Sequence, residues 1–175
     1  MMAATRKVII PDGVKAQLDG AQLKINGPKG QLARNVRFPQ VSVTCDGKEV
    51  VITTESRRKE ITAMVGTLEA HTKNMIRGVT DGFEYRMKVV FSHFPIQLKL
   101  QGSRLEIANF LGEKKARYAR IEPGVTAKVG NDEVVLTGID RELVGTTAAN
   151  IEHATHIRDR DPRVFQDGIY MIQRG

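Results

Sequence analysis

The feature of this 175-residue chain that most restricts its fold is a repeat. Ile96-Gln-Leu-Lys-Leu100, Gln101-Gly102 and Ser103-Arg-Leu105-Glu-Ile107 restate Val14-Lys-Ala-Gln-Leu18, Asp19-Gly20 and Ala21-Gln-Leu23-Lys-Ile25 at an offset of 82. In both copies two runs that alternate apolar and polar residues meet at a turn carrying Gly, which is the pattern of a β-hairpin. A second hairpin follows each. Val41–Cys45 and Val50–Thr53 flank Asp46-Gly47, while Val125–Val129 and Glu133–Thr137 flank Gly130-Asn131-Asp132, 84 residues later. A helical period comes next in each half. Ile61, Met64, Val65, Leu68, Met75, Ile76 and Val79 share one face, with Ser56 as the expected N-cap. Leu143, Val144, Ala148, Ile151 and Ala154 share the other, with Asp140 as N-cap.

One order of elements used twice predicts an α+β protein of two tandem duplicated domains, each an antiparallel sheet with one covering helix. The expected boundaries are 1–82 and 83–175. Thr80-Asp81-Gly82 breaks the first helix, and Phe83–Phe91 opens the second half as a strand. Hydrophobic residues make up 41%, enough for packed cores, but aromatics are only 5% and Trp is absent, so each core is thin. The chain ends on Asp167-Gly168, expected as a turn, and on Ile169-Tyr170-Met171-Ile172, expected as a final strand.

The formal charge of +7 favours an anionic partner. No apolar stretch reaches the length of a membrane span, the first residues lack the apolar core of a signal peptide, and the single Cys45 forms no disulfide within the chain. The expected compartment is cytoplasmic. Enzymatic patterns are missing. Gly27-Pro-Lys-Gly30 is too short for a phosphate-binding Walker loop. His153 and His156 lack a third metal ligand, no metal-site or catalytic motif in the sequence includes His71 or His93, and the carboxylates are scattered among cations. No catalytic residue, metal, cofactor or small-molecule substrate is expected. The rival reading is a cytosolic enzyme with an unrecognised site between the two halves.

The pattern Ile157-x-x-Arg160-x-x-Arg163-x-Phe165-x-Asp167-Gly168-Ile169-Tyr170-Met171-x-x-Arg174 resembles the C-terminal signature of the large-subunit ribosomal protein L-six family, in its archaeal and eukaryotic branch. Ile25-Asn-Gly27-Pro28-Lys29-Gly30-x-Leu32 is similar to that family's Gly-Pro-Lys-Gly loop, and the family is itself built from two related domains. His153 stands where the pattern expects Gln. The resemblance implies a structural component of the large ribosomal subunit. It would bind ribosomal RNA directly, at the base of the stalk near the sarcin–ricin loop, with other ribosomal proteins as neighbours and no membrane.

The densest basic stretch, Gly112–Arg120, is expected as a loop, with Lys114, Lys115, Arg117 and Arg120 on phosphates and Tyr118 on sugar or base. Arg158, Arg160 and Arg163 form a second cluster, with Arg174 beyond it and Lys29 as an outlying contact. Pro162, Phe165, Gly168 and Tyr170 are expected to hold those arginines in place. Phe165 and Tyr170 either pack the strand or stack on bases. Arg57-Arg58-Lys59 is unfavourable at a helix N-terminus and suits either solvent or an anionic partner. The second half is expected to make most of the RNA contact.

Overall fold

A computed structural model describes residues 4–92, 94–158, 160–161 and 163–175. His93 and Pro162 lie outside the described residues, and with them the expected framing role of Pro162. The chain divides into two compact units, Met1–Gly82 and Phe83–Gly175.

In the first unit, β1 (Ala4–Ile9), β2 (Lys15–Asp19), β3 (Gln22–Gly27), β4 (Gly30–Asn35), β5 (Val41–Cys45) and β6 (Glu49–Thr54) precede helix α1 (Lys59–Thr80). They form two antiparallel sheets, ordered β1-β6-β5 and β2-β3-β4. The second unit holds β7 (Phe83–Val90), β8 (Gln97–Gln101), β9 (Arg104–Ala108), β10 (Arg117–Arg120), β11 (Val125–Val129), β12 (Glu133–Gly138), helix α2 (Arg141–Ala154) and β13 (Gly168–Arg174). Its sheets are ordered β11-β12-β7-β13 and β10-β9-β8. Apart from the added β13, the strand orders are the same. The architecture is α+β, but each unit has two sheets where the sequence suggested one. The hairpin partners are neighbours in the chain. β1 and β6, and β7 and β12, meet across some 40 residues or more, and alternation marks a face without saying which sheet it belongs to.

Each core is closed within its own unit. Leu23, Ile25, Val50, Ile52, Val65 and Val79 are central to the first, and Met87, Leu105, Ile107, Leu136, Ile151 and Ile169 to the second. The two first hairpins turn alike, with Gly20 at φ 59° and Gly102 at φ 58°, a left-handed conformation that glycine adopts without penalty. Asp140 caps α2 as expected, its Oδ1 accepting from the Glu142 N–H at 2.8 Å. Ser56 does not cap α1. The N-cap is Arg58, with no side-chain bond, and Ser56 Oγ accepts from the Arg58 N–H at 3.4 Å, two residues too early.

The ending is held more tightly than a surface turn. Asp167 is fully buried and its Oδ2 accepts the Ser92 N–H at 3.0 Å. The N–H groups of Ile169 and Met171 donate to Thr155 Oγ1 and Glu152 Oε1 of the α2 end, each at 3.1 Å. Gly168 is the first residue of β13, paired with Val90, and not a turn residue of positive φ. Its role is space: a Cβ there would lie 2.9 Å from the ring of Tyr170, which folds back so that its hydroxyl donates to Gln166 O at 3.1 Å.

Candidate nucleic-acid interface

β3 and β4 are joined by Pro28-Lys29 alone, whereas the matching strands β9 and β10 are joined by eight residues, 109–116. That longer connection is clamped. Phe110 and Leu111 are buried, and the Asn109 side-chain amide donates to Pro95 O at 3.0 Å. Asn109 and Leu111 take left-handed φ values of 59° and 51°; asparagine visits this region readily, but leucine adopts it only at a cost. Buried anchors on strained backbone hold the tip, Glu113-Lys114-Lys115, in a fixed conformation.

Arg117 at the start of β10 closes this loop and has a different task from the one the sequence suggested. Its Nε and NH2 donate to Glu113 Oε2 and Oε1 at 2.9 and 2.6 Å. Its NH1 donates to the carbonyls of Ala154 and His156, both at 3.0 Å, and the guanidinium lies 4.3 Å over the Phe110 ring. These carbonyls end α2, where the helix dipole favours a cation. With Nε, NH1 and NH2 all engaged, Arg117 is a brace and not a free phosphate ligand. Its hydrogen bonds hold the Glu113 carboxyl below its ordinary value against partial burial, and the charges of Arg117 and Arg160 add to the effect.

Lys29 performs the corresponding task in the first unit. Its N–H donates to Val79 O at 2.9 Å and its ammonium to Asp81 O, both at the C-terminal end of α1. A Cβ on Gly27 would lie 2.7 Å from Val79 Cγ2, so the Gly-Pro-Lys-Gly loop is shaped for this contact. Lys29 therefore caps a helix, a role that the sequence reading did not include.

The cations left free lie beside this brace. Lys114 and Lys115 are exposed, as are Arg158 and Arg163 in the segment after α2, and none of these side chains has a partner among the described residues. Arg160 lies 4.7 Å over the ring of Phe165, which is half-buried against the core, so Phe165 packs and holds an arginine. Asp161 shapes the turn, its Oδ1 accepting the Arg163 N–H at 2.9 Å and its carbonyl the Phe165 N–H at 3.0 Å. Through the bonds of Arg117 to the Ala154 and His156 carbonyls, the Gly112–Arg120 stretch is tied to the end of α2, from which the segment carrying Arg158, Arg160 and Arg163 departs.

Three expected residues sit elsewhere. Tyr118 and Arg120 lie on β10, which is strand and not loop, and they point away from the core that Ala119 enters. Arg120 Nε is 3.5 Å from Glu122 Oε1 and its side chain is 72% exposed. Arg174 is near the far end of β13, its Nε donating to Met171 Sδ at 2.9 Å. The Arg57-Arg58-Lys59 triplet is exposed. His153 and His156 are exposed, and no group of three metal-ligating side chains occurs among the described residues. No described helix is long and apolar enough to cross a membrane. Glu113 and Phe110, which fix the loop, were not singled out from sequence. Their only signal was the length of the connection relative to its counterpart.

The family profile of ribosomal protein L6 matches residues 10–82 and again 94–168. Large ribosomal subunit protein uL6 of Methanospirillum hungatei is 59% identical over 99% of this chain and 98% of its own length. The uL6 proteins of Methanothrix thermoacetophila and Methanocella arvoryzae are 50% and 51% identical, each over 97% of this chain and 96% of their own. With two profile matches, one in each unit, and archaeal relatives along nearly its whole length, the chain belongs to the ribosomal protein L6 family and is a structural ribosomal protein, not an enzyme.

Proposed function

We propose that this chain is a constituent of the large ribosomal subunit that binds large-subunit ribosomal RNA directly, mainly through its second unit. Its place would be the base of the stalk near the sarcin–ricin loop, among other ribosomal proteins in a cytoplasmic ribosome. The observation that carries the RNA reading is the cluster at the end of α2. Lys114, Lys115, Arg158 and Arg163 are exposed and unpartnered among the described residues, yet the backbone beneath the first two is clamped by Phe110, Leu111 and Arg117. Cations presented on rigid backbone neutralise phosphates with little ordering cost on binding. The names of the relatives support the subunit, and the stalk-base position rests on the family resemblance alone.

Each phosphate contact contributes about 0.7 to 0.9 to the slope of log affinity against log salt. The full chain should bind large-subunit RNA with a steep slope, and Lys114→Ala with Lys115→Ala should make it shallower by roughly one to two while leaving the thermal unfolding midpoint in place. A flat salt dependence of the unaltered protein overturns the reading. For the position, a photo-crosslinker at residue 114 should recover RNA containing the sarcin–ricin loop, and crosslinks only to remote RNA would refute it.

A further inference from the structure

We infer that the outer face of the β8–β9–β10 sheet is a second RNA-contact surface, separate from the end of α2, on which Arg104 and Arg120 jointly hold one phosphate and Tyr118 packs against the adjoining nucleotide. This rests on the reading of the chain as an RNA-binding protein.

The strand register places Arg120 directly opposite Arg104, and Arg104 opposite Gln101. The next outward row is Tyr118, Glu106 and Lys99. The residues between these, Leu105, Ile107 and Ala119, are buried, so the two rows face away from the core. Like charges directly opposite on neighbouring strands destabilise a sheet. The carboxylates nearby offset that conflict only in part. Glu122 pairs with Arg120 Nε at 3.5 Å, Arg104 has no side-chain partner among the described residues, and the Glu106 carboxylate accepts from the Gln101 amide.

The first unit supplies an internal control. By register, β3 and β4 place Gln22 opposite Asn35 where β9 and β10 place Arg104 opposite Arg120, and Ala33 where they place Tyr118. The outward face there is amide-rich, and Lys24 is paired with Asp19 at 2.7 Å. The same scaffold therefore forms with neutral residues at these positions, and the arginine pair is not a requirement of the fold. A local conflict that the fold does not need points to a ligand. Two arginines at directly opposed positions of neighbouring strands can converge on the oxygens of one phosphodiester, since arginine recognises phosphate in a planar, two-pronged way. Tyr118 is 55% exposed beside them, an aromatic face available to a ribose or base.

The test transplants the first unit's residues, so that folding is preserved. Full-length protein carrying Arg104→Gln with Arg120→Asn is compared with the unaltered chain and with Lys114→Ala/Lys115→Ala for binding to large-subunit RNA over a range of salt. The arginine pair variant should bind about tenfold more weakly, with a salt slope shallower by roughly 0.7 to 0.9, one phosphate's share, and should melt no lower than the unaltered chain. Because the two arginines hold one phosphate, each single change should cost nearly as much as both. Unchanged affinity and slope in the double variant, while the lysine variant is weakened, overturns this inference and leaves the proposed function standing. The same holds if RNA binding is unchanged but incorporation into subunits falls, since the face would then meet a protein. Absence of salt-dependent binding by the unaltered chain overturns the proposed function itself.

Discussion

Arg117 carries a concentrated set of contacts: a two-pronged bond to Glu113, two carbonyls at the end of α2 and the face of Phe110. Removing it leaves the carbonyls ending α2 and a carboxylate without a donor. Arg117→Ala should therefore destabilise the protein by about 2–3 kcal/mol, the scale of hydrogen bonds to charged groups. Arg117→Lys should recover only part, because an ammonium cannot span both carboxylate oxygens and the carbonyls. The pair also fixes a pH dependence. The folded Glu113 carboxyl titrates below its ordinary value of 4.5. Its contribution to stability is thus complete above the unfolded value and lost as pH falls through the lower folded value. Thermal melts of the unaltered chain and of Arg117→Ala should differ most at neutral pH and converge in part below about pH 4, where protonated Glu113 no longer favours a cation. The carbonyl contacts persist, so convergence should be incomplete. A gap independent of pH would show that the Glu113 pair contributes nothing.

At the scale of elements, β13 distinguishes the second unit. It adds to the free edge of β7, places Ile169 in the core, and is tied to Thr155 and Glu152 near the end of α2. A chain ending at Gln166 would expose the β7 edge and strip those two side chains of their donors. Its second unit should lose cooperative melting and the dispersed methyl signals of its core, and a preserved melt would contradict this. The sequence made this strand legible because an apolar, alternating ending has few other uses. It also made the hairpins legible, since Gly20 and Gly102 mark turns between adjacent strands. Illegible were the contacts that depend on distant parts of the chain. Lys29 finds its carbonyl 52 residues away and Arg117 finds its two at 37 and 39. No local pattern distinguishes such a cation from one that faces solvent, so both read from the sequence as phosphate ligands. Gly168 differs from its expected turn role for a nearer reason. Asp-Gly suggests a turn, but the ring that requires a glycine belongs to Tyr170, two residues on.

For the whole molecule, charge counting and charge placement disagree. Residues 1–82 hold 13 basic and 8 acidic side chains, a balance of +5, and residues 83–175 hold 14 and 12, a balance of +2. Counting alone assigns RNA to the first unit. There, however, Arg6 and Lys73 meet Glu69, Lys7 meets Glu49, Lys24 meets Asp19, and Lys29 is turned onto α1. In the second unit Arg104, Lys114, Lys115, Arg158 and Arg163 have no side-chain partner among the described residues. Beyond a screening length of about 8 Å a surplus elsewhere on the surface adds little to a phosphate contact. Free cations held close together therefore count for more than the balance of a whole unit. Each unit has its own core, so fragments 1–82 and 83–175 are the natural comparison once each is shown to be folded by its melt. At one salt concentration the second should bind large-subunit RNA more tightly and show the steeper salt slope. Equal affinity would place a comparable site on the first unit. Its densest exposed run, Arg57-Arg58-Lys59, would then be the segment to neutralise next, because three cations at the N-terminus of α1 oppose the helix dipole and draw no side-chain cap in return.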